Sequence, residues 1–232
     1  MHLFDKEKNE SNESIYSVES NGTQLTNTKE FHFYTKYKAT KNHKYILNAD
    51  KSPAYFSEYH YFRPSNLKER FVSLYKGDST DGPLVGQVGS NTWMTKFHYR
   101  DANGTEHPFE QIHKLKLSPL YQWTAPNGQT LLWKSTRQVD MEENGKKSKL
   151  RRGLKLVDEH DQVLAIFVHC KFAKRKIGKF ILDTNSINSV EMEQAVLTTA
   201  LTILEVCMIA ANNAAAASSS ASSSAAVAVA TA

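Results

Sequence analysis

The chain has 232 residues, a formal net charge of +5, 40% hydrophobic and 10% aromatic residues. That length suits one large domain, and closed β architectures often reach it as a single unit; ten Tyr and eleven Phe favour strands. Met1-His-Leu-Phe-Asp-Lys-Glu has no apolar run, so no secretory signal is expected, and Cys170 and Cys207 are too few for a disulfide framework. A reducing, cytoplasmic setting follows as the expectation.

Residues 1–29 are polar and rich in Asn, Ser, Glu and Thr. Such a stretch buries too little surface to offset its ordering entropy, so a disordered leader is expected. From Glu30 to Thr184 the pattern becomes short runs of β-branched and aromatic residues. Phe31–Tyr37, Lys44–Leu47, Tyr55–Phe62, Phe71–Tyr75, Leu84–Val88 and Met94–Tyr99 are expected as strands. Ile112–Leu117, Tyr121–Thr124, Thr130–Trp133, Gly153–Val157, Val163–His169 and Lys179–Leu182 are expected as six more. Gly77-Asp78, Asp81-Gly82-Pro83, Asn103-Gly104, Asn127-Gly128, Asn144-Gly145 and Asp158–Asp161 supply the turns, the Asn-Gly pairs offering positive φ at little cost. About a dozen short strands at this spacing predict a closed antiparallel β-barrel or a sandwich.

Ser189–Ala211 breaks that pattern. Asn188 or Ser189 can cap a helix, with Glu191 in its first turn. Apolar residues, Val196, Leu197, Leu201 and Leu204 among them, cover most of its circumference, and Glu191, Thr198 and Glu205 recur seven apart as a narrow polar stripe. A helix apolar nearly all round must be enclosed by protein or by lipid. Spanning a bilayer takes roughly twenty apolar residues, whereas eleven uncharged residues from Gln194 precede Glu205. A carboxylate at mid-span costs at least ~2.5 kcal/mol. A dozen strands also need an interior filling, so a mostly β fold with this helix buried as its core is the preferred reading, a membrane anchor the alternative. Residues 212–232 are Ala/Ser low complexity, expected as a frayed helix end passing into disorder.

This order of events resembles the tubby C-terminal-like superfamily, which includes tubby, the LURP-one-related proteins and the phospholipid scramblases; uncharacterised fungal members are the nearest likeness. The resemblance is carried by Tyr121-Gln-Trp-Thr-Ala-Pro-Asn-Gly-Gln-Thr-Leu-Leu-Trp133-Lys134, then Val163-Leu-Ala-Ile-Phe167, Ile177-Gly-Lys-Phe-Ile-Leu182, and Leu197-Thr-Thr-Ala-Leu201 with Glu205. It spans about Phe109 to Glu205. It implies a twelve-stranded barrel around a central helix, residues 30–211, and constrains activity little, since fold does not fix function.

Signatures of catalysis are missing from the sequence: no Gly-X-Ser-X-Gly elbow, His-Glu-X-X-His, P-loop or Cys-X-X-Cys. No cofactor, metal or catalytic residue is expected, and the chain reads as a non-enzyme. The histidines alternate with aromatics (Phe31-His32-Phe33, Tyr59-His60-Tyr61), so on strands they point away from those neighbours. Trp123 and Trp133 flank Asn127-Gly128 and are expected to pack across adjacent strands. Residues 141–180 carry eleven Lys/Arg against five Asp/Glu, a net +6 that exceeds the whole-chain value. The excess lies in Lys146, Lys147, Lys149, Arg151 and Arg152 and in Lys171, Lys174, Arg175 and Lys176. Both runs are placed in turns or at strand ends, where a shared rim would meet lipid phosphates; a solvated surface is the bland account. The expected function is a binding or adaptor domain recognising an anionic membrane surface or phosphoinositide. A protein-interaction module without a lipid role and a membrane-inserted scramblase-like protein are the alternatives. Basic residues without interleaved aromatics or a recognition module give no reason to expect nucleic acid as a partner.

Overall fold

The computed structural model describes residues 15–18, 23–25, 27–35, 43–60, 70–90, 96–112, 120–136, 139–143, 146–150, 153–170 and 175–229. In chain order the strands are β1 (Ile15–Val18), β2 (Thr23–Leu25), β3 (Thr28–Thr35), β4 (Lys44–Asn48), β5 (Pro53–Tyr59), β6 (Arg70–Lys76), β7 (Leu84–Ser90) and β8 (Lys96–Asp101). There follow β9 (Glu106–Gln111), β10 (Leu120–Thr124), β11 (Thr130–Thr136), β12 (Val139–Glu143), β13 (Lys146–Leu150), β14 (Gly153–Val157), β15 (Val163–His169), β16 (Lys176–Asp183) and the helix α1 (Val190–Val229).

Twelve antiparallel strands, β3 to β11 and β14 to β16, form a closed barrel in which β16 seals against β3, Phe180 opposite Phe31. Period-two alternation turns the aromatic residues inward: Phe31 and Phe33, Phe97 and Tyr99, Tyr121 and Trp123, Leu131 and Trp133 are all buried. Trp133 stands opposite Tyr121 and Trp123 opposite Leu131 across the β10–β11 hairpin, whose Gly128 takes φ +83°. Both indoles are therefore core groups, as the hairpin spacing predicts.

Down the middle runs α1. Ser189 caps it, its hydroxyl accepting from Met192 N at 3.1 Å. All fourteen residues from Met192 to Glu205 are buried, about 21 Å of helix. Val196, Leu197 and Leu201 have no exposure and Leu204 has 4%. The enclosed hydroxyls need partners in this apolar space. Thr198, Thr199 and Thr202 find them one turn back, donating to the carbonyls of Gln194, Ala195 and Thr198. Trp133 Nε1 donates to Thr199 Oγ1 at 3.1 Å. The helix passes so near β7 that a Cβ on Gly86 would stand 2.5 Å from Thr198 Oγ1. Only glycine leaves room there.

Four features differ from the expectations. Two strands fall inside the stretch read as a leader: β1 pairs with β12 and β2 with β1, giving a four-stranded sheet in the order β13, β12, β1, β2. Leu25 also joins Val157, Val163, Ile166, Val168 and Ile181 in a second apolar cluster, an interaction that composition does not register. A strand outside the expected set, β9, runs over Glu106–Gln111 just before the stretch Ile112–Leu117, with Phe109 fully buried. Pro108 is tolerated because the ladder to β10 pairs only Gln111, Glu110 and Phe109. Ile112 is exposed, and 113–117 lie outside the described residues. The connection holding Lys146–Arg152 contains a hairpin of its own, β12 and β13. Finally, α1 continues past Ala211 to Val229, in keeping with the high helix propensity of alanine.

Candidate functional site at the helix-exit end of the barrel

The two ends of the barrel differ in loop length and in charge. Residues 49–52, 77–83, 102–105, 125–129, 158–162 and 184–189 form one end. The first five of these connections are short turns holding six Asp/Glu against one Lys, and the sixth leads into the helix without a charge. Several of these carboxylates are turn formers. Asp50 Oδ1 accepts from Ser52 N and Oγ, and Asp158 Oδ1 accepts from His160 N and Gln162 N. The Ser52 hydroxyl holds Asp50 below the usual carboxylate range, and Lys134, 2.6 Å away, does the same for Asp161.

At the other end lie the connections 36–43, 60–69, 91–95, 112–119, 137–152 and 170–175, most of them longer, whose sequences hold sixteen Lys/Arg against four Asp/Glu. The helix enters at the acidic end and leaves at this one. Near its start Glu193 accepts from Lys29 Nζ at 2.7 Å and from Tyr55 OH at 2.8 Å, residues at the short-turn ends of β3 and β5. Burial, reinforced by the Glu193 charge, pushes the Tyr55 phenol well up.

At the exit Glu205 forms an ion pair with Lys44, the first residue of β4, and both side chains are 2% exposed. Among the described residues no hydrogen-bonding group outside this pair reaches the Glu205 carboxylate. Burial pulls the Lys44 amine down to about 7; the adjoining carboxylate acts in the opposite direction.

Just outside this mouth a second polar group was not legible in the sequence. Glu58 on β5 lies 3.6 Å from His43 Nε2 through Oε1 and 3.5 Å from His60 Nε2 through Oε2. Ser73 Oγ is also 3.5 Å from His60 Nε2. Carboxylate and hydroxyl thus approach the same ring nitrogen, so no Ser–His–Glu relay is formed, because that relay needs one nitrogen for each partner. Among the described residues no cluster of three or more His, Cys, Asp or Glu has the arrangement of a metal site. The only signal in sequence is that His43 stands one residue before the buried Lys44 of β4, while Glu58 and His60 flank the buried Tyr59 at the end of β5.

The expected basic residues separate into three groups. Lys146, Lys147 and Lys149 belong to β13, opposite Glu143, Glu142 and Asp140 of β12, so each lysine has a carboxylate across the ladder. Their placement in a turn is corrected. Arg151, Arg152, Lys171 and Lys174 lie outside the described residues. Arg175 is exposed and its carbonyl accepts from Thr35 N at 2.9 Å; Lys176 is half-buried at the start of β16, opposite Tyr34. The register ties the two runs to one stretch of rim: Gly153, which follows Arg152, pairs with Val168, and His169 pairs with Gly178.

The chain matches no protein-family model, no curated protein and no solved structure.

Proposed function

We infer that this chain is a non-enzymatic binding domain of the tubby C-terminal-like kind that meets anionic phospholipid through basic residues at the helix-exit end of its barrel. The observation that supports this reading is the pairing of β14 with β15: Arg152 immediately precedes the first strand and Lys171 follows shortly after the second, at the same end of the barrel. The contrast with the acidic turns at the opposite end supports it, because a molecule polarised this way presents one end to a negative surface. With Lys146, Lys147 and Lys149 in register with Glu143, Glu142 and Asp140 on β12, the weight of the reading moves to Arg151, Arg152, Lys171, Lys174, Arg175 and Lys176.

Each basic residue near an anionic surface contributes ~1 kcal/mol. Replacing Lys171, Lys174, Arg175 and Lys176 with Gln is therefore expected to weaken co-sedimentation with phosphoinositide-containing vesicles by at least about tenfold. Added salt should weaken the unaltered chain in the same way, and neutral vesicles should not retain it. Equal retention by neutral and anionic vesicles sinks the reading.

The opposite-charge register of β12 and β13 favours a second reading, a protein-interaction module whose basic residues are a solvated surface. It predicts no salt-dependent membrane association and a partner recovered by pull-down. A membrane-inserted, scramblase-like role for α1 would have to withdraw fourteen buried residues from the barrel.

A further inference from the structure

The helix does not end where its burial ends. After Glu205, Val206, Met208 and Ile209 are half-buried at the mouth, while Cys207 and every residue from Ala210 to Ala214 are exposed. Val206 and Ile209 still pack against the core, which fixes the direction in which the next turns leave. From Val206 to Val229 the helix carries no charged side chain. An uncharged helix end emerging from a basic rim is an unusual surface for water alone. At the opposite end of the same helix three of the six connections, 49–52, 77–83 and 158–162, carry aspartates.

We propose that the turns of α1 just beyond the barrel, Val206 to Ala214, enter the boundary between headgroups and acyl chains of an anionic bilayer, with the barrel standing on its helix-exit end. This rests on the lipid reading above and adds depth and orientation to it. The occupant is chosen by charge: a neutral, half-apolar tip at the end whose connections hold sixteen Lys/Arg against four Asp/Glu in sequence complements a surface whose rim is negative and whose interior is hydrocarbon. The segment Met192–Glu205 stays in the barrel, because leaving would expose its whole circumference and separate Lys44 from Glu205. The tip therefore dips into one leaflet and does not span.

The test uses the full chain with Cys170→Ser, Cys207→Ser and Ala211→Cys, carrying an environment-sensitive fluorophore at position 211, and vesicles of phosphatidylcholine with or without phosphatidylserine. The expected result is a blue shift with the anionic vesicles, quenching by spin-labelled acyl chains, and several-fold weaker quenching by aqueous iodide. The same label at position 78, through Asp78→Cys, should respond to none of these. A bound protein whose label at 211 stays open to iodide overturns the inference while leaving the lipid reading intact, and equal responses at 211 and 78 overturn the orientation. Absence of binding to the anionic vesicles removes the lipid reading and this inference together. A shift that appears without vesicles as protein concentration rises assigns the tip to a second copy of the chain and also overturns it. As an independent arm, Ala210→Asp with Ala211→Asp alters two exposed positions and should leave thermal stability unchanged while lowering vesicle binding several-fold; unchanged binding counts against the proposal.

Discussion

Lys44 and Glu205 show what a buried pair demands of its neighbourhood. Removing one member leaves the other charge uncompensated, a loss of about 3–5 kcal/mol, whereas exchanging both for apolar residues of like volume is often neutral or stabilising. Glu205→Gln and Lys44→Met should each lower the urea midpoint strongly, and Lys44→Met combined with Glu205→Leu should recover most of it. The Gln variant also gives a pH signature. Burial already holds the Lys44 amine down to about 7 beside Glu205, and without that carboxylate nothing offsets it, so in the folded variant it titrates no higher than this, against roughly 10.4 when unfolded. Between these limits the unfolded chain binds the extra proton, so the stability of the variant should rise with pH from about 7 to about 10.4 and level off beyond. A stability flat across that window would show that the amine is not held in the dry site. Gly86 makes a second case at this scale. Gly86→Ala places a methyl 2.5 Å from Thr198 Oγ1, an overpacking of about 1–3 kcal/mol. Thr198→Ala in the same chain should relieve it, so denaturation of the single and double variants should give a combined loss smaller than the sum of its parts.

Among the elements, α1 separates into a part that the fold needs and a part that it does not. Leu201 has no exposure, so Leu201→Ala should cost about 2–5 kcal/mol and Leu201→Asp should abolish folding, both read by thermal melts. Removing residues 215–232 should leave the melting temperature unchanged, because the five residues that precede the cut, Ala210 to Ala214, are all exposed. The sequence made this helix legible because fourteen residues with almost no charge admit few environments. It made most barrel strands legible through alternation alone, as at Phe31 and Phe33 or Tyr121 and Trp123. It hid β9, where Pro108 and two glutamates resemble a turn, and it hid β12 and β13, whose charges look solvated until their register sets Lys against Glu. Lys44 and Glu205 left no trace in sequence. Nothing periodic links two residues that far apart; closure of the barrel brings them together.

For the molecule as a whole, the charge of +5 conceals a division of the sequence by strand end, six Asp/Glu against one Lys in the connections at one end and sixteen Lys/Arg against four Asp/Glu in those at the other. Net composition could not reveal this, because the separation arises from which strand ends the connections join. The candidate site was accordingly legible only as a local excess of lysine and arginine; that Arg152 precedes, and Lys171 shortly follows, two strands paired with one another depends on the ladder of β14 and β15.

The seam between β3 and β16 also governs how such a chain is made. The first barrel strand waits for the last, and the plug for the interior follows later still, so a growing polypeptide displays an open, greasy sheet for most of its synthesis. Contacts this remote in sequence place folding in the slow range, milliseconds to seconds. The ring can close only after translation has passed Asp183 and be filled only after it has passed Glu205, and until then the nascent chain depends on being shielded from its neighbours.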